Sequence, residues 1–88
     1  MIVFAKKSFN KDIEKINDNK LAKKIKGVIL SVEKANAIIQ IHNVKKLKGT
    51  ANAYRIRIGD YRLGFFFINN VVELTAFAHR KEIYRYFP

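Results

Sequence analysis

Two hydrophobic periods divide this chain, and the change falls at Gly49. Before it, Leu21, Ile25, Val28, Ile29 and Val32 stand at i, i+4, i+7, i+8 and i+11, one stripe of a 3.6-residue helix. Ala35 and Ile39 continue the stripe, so the spacing predicts a helix to about Ile41, with Asn43 near its end. A shorter stripe of Phe9, Ile13 and Ile16 precedes it, with Ser8 as the expected N-cap and Asp12 in the early helix. Asn17-Asp18-Asn19 breaks the two apart into a helical hairpin. Ile2–Ala5 opens the chain as a short β-prone run.

After Gly49 the period is 2. Tyr54, Ile56 and Ile58 alternate with Arg55 and Arg57, and Gly59-Asp60 separates this run from Tyr61 to Ile68. A loop of two residues with Gly first is a hairpin signature, and Asn69-Asn70 supplies a second such turn before Val71 to Ala78. The expected order is β-α-α-β-β-β, an α+β fold with the helical hairpin packed on one face of a small, mostly antiparallel sheet. With no internal Pro and no Ser/Gly-rich stretch to mark a linker, residues 1–88 are expected to form one domain.

The turn lengths fix a register. Arg57 falls opposite Arg62, Arg55 opposite Gly64 and, across the second turn, Phe65 opposite Leu74 and Arg62 opposite Phe77. One face then collects Tyr54, Ile56, Ile58, Tyr61, Leu63, Phe65, Phe67, Val72, Leu74 and Ala76, which is a core face. The other collects Arg55, Arg57, Arg62, Gly64, Phe66, Thr75, Phe77 and His79. Arginines facing each other across a ladder repel by a few tenths to about 1 kcal/mol. One reading is a solvated face; the other is a site for phosphate or RNA, since guanidinium forks match phosphate oxygens and aromatic rings stack on bases.

Composition narrows the chemistry. The 18 Lys and Arg against 7 Asp and Glu give a net charge of +11, which points to polyanionic partners. There is no Cys, so a disulfide scaffold, a thiolate zinc site and a Cys nucleophile are excluded. Two His with no acidic residue at ligand spacing predict no metal site, and no cofactor motif is present. Apolar runs are too short to span a bilayer and no secretory signal opens the chain, so no membrane association and a cytoplasmic location are expected. The lysines at 20, 23, 24 and 26 read as a solvated helix face that could also dock on RNA.

Three blocks carry a resemblance: Lys46-Leu47-Lys48-Gly49, Tyr54-Arg55-Ile56-Arg57-Ile58-Gly59-Asp60-Tyr61-Arg62, and His79-Arg80-Lys81-Glu82-Ile83-Tyr84-Arg85. In this order and spacing they resemble the RelE/ParE superfamily, and the opening Lys6-to-Ile16 segment is similar to the family's first helix. The resemblance implies a toxin of a type II toxin–antitoxin pair, closer to the RelE-like mRNA interferases that cut mRNA on the ribosome. ParE-like members, which share the fold and poison DNA gyrase without catalysis, are the alternative, and an attenuated nucleic-acid-binding homologue is a third. The implied partners are the ribosome with its mRNA and a small, acidic, neutralising antitoxin.

Metal-independent cleavage through the 2′-OH needs a proton acceptor, cations for the phosphorane and a donor to the 5′-oxygen. Taken with the resemblance, the sheet register and side-chain chemistry point to Arg57, Arg62, His79, Arg80 and Tyr84 in catalysis. Lys46, Lys48, Arg55, Arg85 and Tyr86 are expected against RNA phosphates and bases. RelE-like enzymes carry Lys where this chain has Arg55 and Arg57, so these two are read as phosphate stabilisers, and His79 as the replacement acid or base. Arg80 matches the family's catalytic arginine, but strict alternation turns it to the core unless the strand ends or bulges near Ala78. Tyr84 and Tyr86 compete for the family's C-terminal tyrosine.

Overall fold

Asp18 begins the longer helix. Its carboxylate accepts hydrogen bonds from the N–H groups of Lys20 at 2.9 Å and Leu21 at 3.2 Å, satisfying donors that every helix leaves open at its N-terminus. The structure, a computed structural model, describes all residues from Met1 to Pro88. Helix α1 spans Lys7–Glu14 and α2 spans Asn19–Lys34. The N-cap of α1 is Lys6, which makes no side-chain cap, so Ser8 lies inside the helix and not at its cap.

Helix α2 stops short of the predicted Ile41. Ala35 is already extended, and the Met1 amino group donates to its carbonyl at 3.0 Å. Beyond it, Ile38–Gln40 make a single 3₁₀ turn in which Ile39 is 89% exposed, so its place in the helical stripe does not bury it. Ile41 is buried and Asn43 takes a positive φ of 61°, turning the chain into a strand that periodicity did not reveal, β2 at Val44–Lys46.

The sheet therefore has five strands. β1 spans Ile2–Ala5, β3 Ala53–Ile58, β4 Tyr61–Ile68 and β5 Val71–His79, in the order β1-β5-β4-β3-β2. Only the β1–β5 pair is parallel. Both helices cover one face, where Phe9, Ile25 and Val32 pack with Ile56, Leu63, Phe65 and Leu74. Asn69 and Asn70 both hold positive φ, the conformation a tight turn between β4 and β5 requires and Asn tolerates.

The β3–β4 register follows the turn length, with Arg57 opposite Arg62 and Arg55 opposite Gly64. The β4–β5 register does so only from Ile68–Val71 to Phe65–Leu74. It then shifts: Gly64 pairs with Ala76, Leu63 with Phe77, Arg62 with Ala78 and Tyr61 with His79, leaving Thr75 bulged. A slip of one residue reverses every side chain beyond it. Ala76 consequently leaves the helix-covered face, while Phe77, expected beside the arginines, is buried in the helix-side core.

The bulge sits where β1 runs out. β1 pairs with β5 only as far as Leu74, and α1 closes the edge beyond it. Ser8 Oγ donates to the Thr75 carbonyl at 2.6 Å, and Asp12 Oδ2 accepts from the Phe77 N–H at 2.9 Å. Polar backbone groups freed by a bulge must find such partners. Replacing Asp12 with alanine is therefore expected to cost about 1–3 kcal/mol in denaturant unfolding, with the loss read as a lower midpoint at unchanged slope.

A second, smaller core lies on the opposite face. After β5 the chain forms a 3₁₀ turn at Ile83–Arg85, and Ile83 and Phe87 bury against Ala53 and Ala76, with Leu47, Phe66 and Ala78 at the margin. The Phe66 and Phe87 rings lie 5.2 Å apart. A Cβ built on Gly64 would stand 2.5 Å from the Phe87 ring, so this close approach requires glycine.

Candidate nucleic-acid interface

Alternation along β3 and β4 puts Arg55, Arg57 and Arg62 on the face that the helices leave open. Ala78 lies across from Arg62, while Gly64, across from Arg55, is covered by the Phe87 ring, so the second core bounds the arginine patch on that side. The side chains are held by backbone carbonyls. Arg62 Nη1 donates to the carbonyls of Gly59 and Tyr61, both at 2.9 Å. Arg55 Nη1 donates to the Asn43 carbonyl at 2.9 Å, and Arg57 Nη2 reaches the Asn43 side-chain oxygen at 3.4 Å. Asn43 thus organises two arginines. Sequence reasoning placed it only near a helix end, because its role depends on β2, which periodicity did not show.

The pKa of Arg62 is lowered from its ordinary value. Partial burial is the main cause, followed by the like charge of Arg55, then of Arg57 and Arg80, with Tyr84 acting in the opposite direction. Arginine titrates far above physiological pH, so the group stays charged and its repulsion with neighbouring cations persists throughout that range. An anion placed among them would relieve it.

Arg80 joins this cluster because of the Thr75 bulge, which lies upstream of the Ala78 position considered from sequence. Its N–H donates to the Asp60 carbonyl at 2.7 Å, and its Nε stands 3.7 Å from the Asp60 carboxylate, an open pairing with both side chains more than half exposed. Tyr84, half exposed, follows Ile83 and lies close enough to Arg62 to influence its ionisation. Tyr86 lies elsewhere: burial, then the carboxylates of Asp12 and Glu82, raise its hydroxyl pKa, which sets it toward α1. Arg85 pairs with Glu82 at 3.3 Å.

His79 is not on the arginine face. The bulge turns it to the opposite side, opposite and edge-on to Tyr61 with ring centroids 5.5 Å apart, and its Nδ1 accepts from the Lys81 N–H at 3.2 Å. Lys46 also faces the other way, opposite Tyr54, and the lysine beside Arg55 is Lys45. Lys48 is exposed in the turn after β2. Glu73, the carboxylate farther along the open face, is held by Lys6 at 3.3 Å. Nowhere do three metal-ligating side chains converge. The assembled groups are suited to holding phosphate by charge-assisted forks, with a phenol at the margin.

Comparison with known proteins places the fold among toxins of toxin–antitoxin systems. A family described as "ParE toxin of type II toxin-antitoxin system, parDE" matches residues 3–84. Toxin RelE3 of Methanocaldococcus jannaschii is 36% identical over 88 residues, covering 99% of this chain and 98% of that protein. The toxin in the crystal structure of a RelB-RelE antitoxin-toxin complex from Methanococcus jannaschii superposes with a TM-score of 0.81 at 34% identity, covering 97% of this chain and 99% of the other. The YoeB dimer of Staphylococcus aureus shares the fold, with a TM-score of 0.70 at 24% identity over 86% of this chain and 92% of the other. No helix here is long and apolar enough to cross a membrane.

Proposed function

This chain belongs to the RelE/ParE superfamily of type II toxin–antitoxin toxins, and from that premise we propose that it is a ribosome-dependent mRNA endonuclease. The observation that carries the reading is the convergence of Arg55, Arg57, Arg62, Arg80 and Tyr84 around one patch of the open sheet face. A toxin acting only by binding has no chemical requirement for four guanidinium groups and a phenol in one cluster.

In the proposed reaction the 2′-oxygen of one nucleotide attacks the adjacent phosphorus, forming a 2′,3′-cyclic phosphate as the bond to the 5′-oxygen breaks. The 2′-OH loses a proton and the leaving oxygen gains one. Arg62, flanked by Arg55 and Arg57, stabilises the extra negative charge on the phosphorane, with Arg80 at the edge of the cluster. In this reading Tyr84 donates to the leaving oxygen. His79 has no part on this face, Glu73 is engaged by Lys6 and Asp60 lies against Arg80.

A small acidic antitoxin is the proposed neutralising partner. The RelB-RelE antitoxin-toxin complex from Methanococcus jannaschii shows a relative bound to an antitoxin, and a toxin of net charge +11 favours an acidic one.

The test is cleavage of mRNA on programmed ribosomes, with naked RNA alongside. Codon-phased cuts that require the ribosome are the expected result. Folded protein that cuts nothing but inhibits gyrase supercoiling would overturn the reading in favour of the ParE-like one.

A further inference from the structure

Arg57 borders a second feature besides the arginine cluster. A hollow of about 400 Å³ lies between α2 and the β3–β4 turn, with Lys24, Gly27 and Ser31 on one wall and His42, Asn43 and Arg57 on the other. This volume falls within the ~300–1,000 Å³ range of small-molecule sites. Lys24 and Arg57 are cations, His42 is a third nitrogen base, and no carboxylate borders the hollow. The neighbouring hollow around the same turn shares Lys24 but includes Asp18 and Asp60. The two differ in charge, and only the first suits an anion.

Gly27 is the second, independent observation. It lies in the middle of α2, where glycine is less favourable than alanine. Its φ is not in the left-handed region, and no atom lies within 4 Å of the position a Cβ would take. Neither backbone conformation nor packing within the chain calls for a glycine there. Its effect is to leave the floor of the hollow open at the helix backbone.

We infer that this hollow is an RNA phosphate subsite, where a strand leaving the arginine face passes Arg57 and lies against α2 at Gly27, between Lys24 and His42. The inference rests on reading the arginine face as an RNA surface. Continuity favours RNA: Arg57 belongs to both places, and its guanidinium is hydrogen-bonded to Asn43, which also fixes Arg55. The lining disfavours a protein segment. Only Val28 and Ile58 of its nine residues are hydrophobic, whereas protein partners need buried apolar anchors.

The discriminating variant is Gly27→Gln, which adds bulk without changing charge. Binding of fluorescent single-stranded RNA of about 4 and about 12 nucleotides would be read by anisotropy, with Ala22→Gln on another side of α2 as control. Thermal unfolding would be followed in parallel. Gly27→Gln is expected to raise the thermal midpoint by a few degrees because the helix gains a better former. The same variant is expected to weaken the longer RNA roughly 5- to 10-fold and leave the shorter one unchanged. Lys24→Ala should reduce the salt dependence for the longer RNA by about one phosphate contact.

A Gly27→Gln protein that is stabilised and binds the longer RNA as wild type does would overturn the proposal. With a fluorescent acidic peptide in the same anisotropy assay, a Gly27→Gln loss confined to that peptide would also overturn it and assign the hollow to a protein partner. Ribosomal cleavage is a separate readout. Wild-type protein that cuts nothing, while Gly27→Gln still loses the longer RNA, would sink the endonuclease reading and leave the subsite standing.

Discussion

Ribosome-dependent cleavage by an Arg62→Ala variant is expected to fall about 10²–10³-fold in kcat, the loss typical when a fixed donor to a transition-state oxyanion is removed. The magnitude follows from how Arg62 is held. Its Nη1 is tied to the carbonyls of Gly59 and Tyr61, so the group is already oriented before substrate arrives. It also sits among the positive charges of Arg55, Arg57 and Arg80. A phosphorane at this position meets several cations at once, and removal of the central one weakens the whole field. Stability is expected to change little. Losing two hydrogen bonds costs on the order of 1 kcal/mol each, and relief of like-charge repulsion is of similar size and opposite sign. Arg62→Lys keeps the charge but not the planar fork, so an intermediate loss of about 10-fold is expected. Rates from single-turnover cleavage on programmed ribosomes, beside thermal midpoints, separate these effects. An Arg62→Ala protein that cleaves at the wild-type rate would remove the basis for reading this face as catalytic.

Much of that face was legible in the sequence because hairpins carry their own ruler. Gly59-Asp60 and Asn69-Asn70 fix pairings by loop length, and the Arg57–Arg62 opposition follows from counting alone. Counting failed at Thr75. A bulge without glycine has no local signature, and this one is sustained by Ser8 and Asp12, 67 and 65 positions away from their partners. Those residues looked like a helix start because Ser and Asp favour helix N-termini, but here they serve a strand edge. The consequence reaches the chemistry: the slip removes His79 from the arginine face and brings Arg80 in. The length of α2 was misjudged for a related reason. Periodicity from Ala35 to Ile39 persists after the helix has ended, since it cannot register that the terminal carbonyls are already bonded to Met1. The second core was also invisible. Ile83 and Phe87 belong to no periodic run, and their role comes from packing with Ala53 and Ala76 and from the meeting of Phe87 with Gly64.

That meeting makes Gly64→Ala the other substitution with a large expected effect. Gly64 lies in β4 opposite Arg55, without a positive φ, so a strand position would ordinarily gain from alanine. Here the added Cβ would lie 2.5 Å from Phe87 Cδ2 and 2.8 Å from Cγ. The ring is 1% exposed and packed with Ile83 and Ala76, so it cannot move aside without opening the second core. Overpacking of this kind costs about 1–3 kcal/mol, and each kcal/mol corresponds to roughly 4–8 °C in a domain of this size. Activity is expected to drop as well, because Tyr84 sits between Ile83 and Phe87, the two residues that dock this segment. Phe87→Ala reaches the same end by the opposite route, with a cavity costing about 3–5 kcal/mol. A double-mutant cycle with Phe87→Leu tests the cause. If the clash is responsible, alanine at position 64 should cost less when leucine replaces the ring, giving a coupling of about 0.5–3 kcal/mol. Additive losses would mean that the destabilisation arises in β4 itself, and that Tyr84 does not depend on the contact between Gly64 and Phe87.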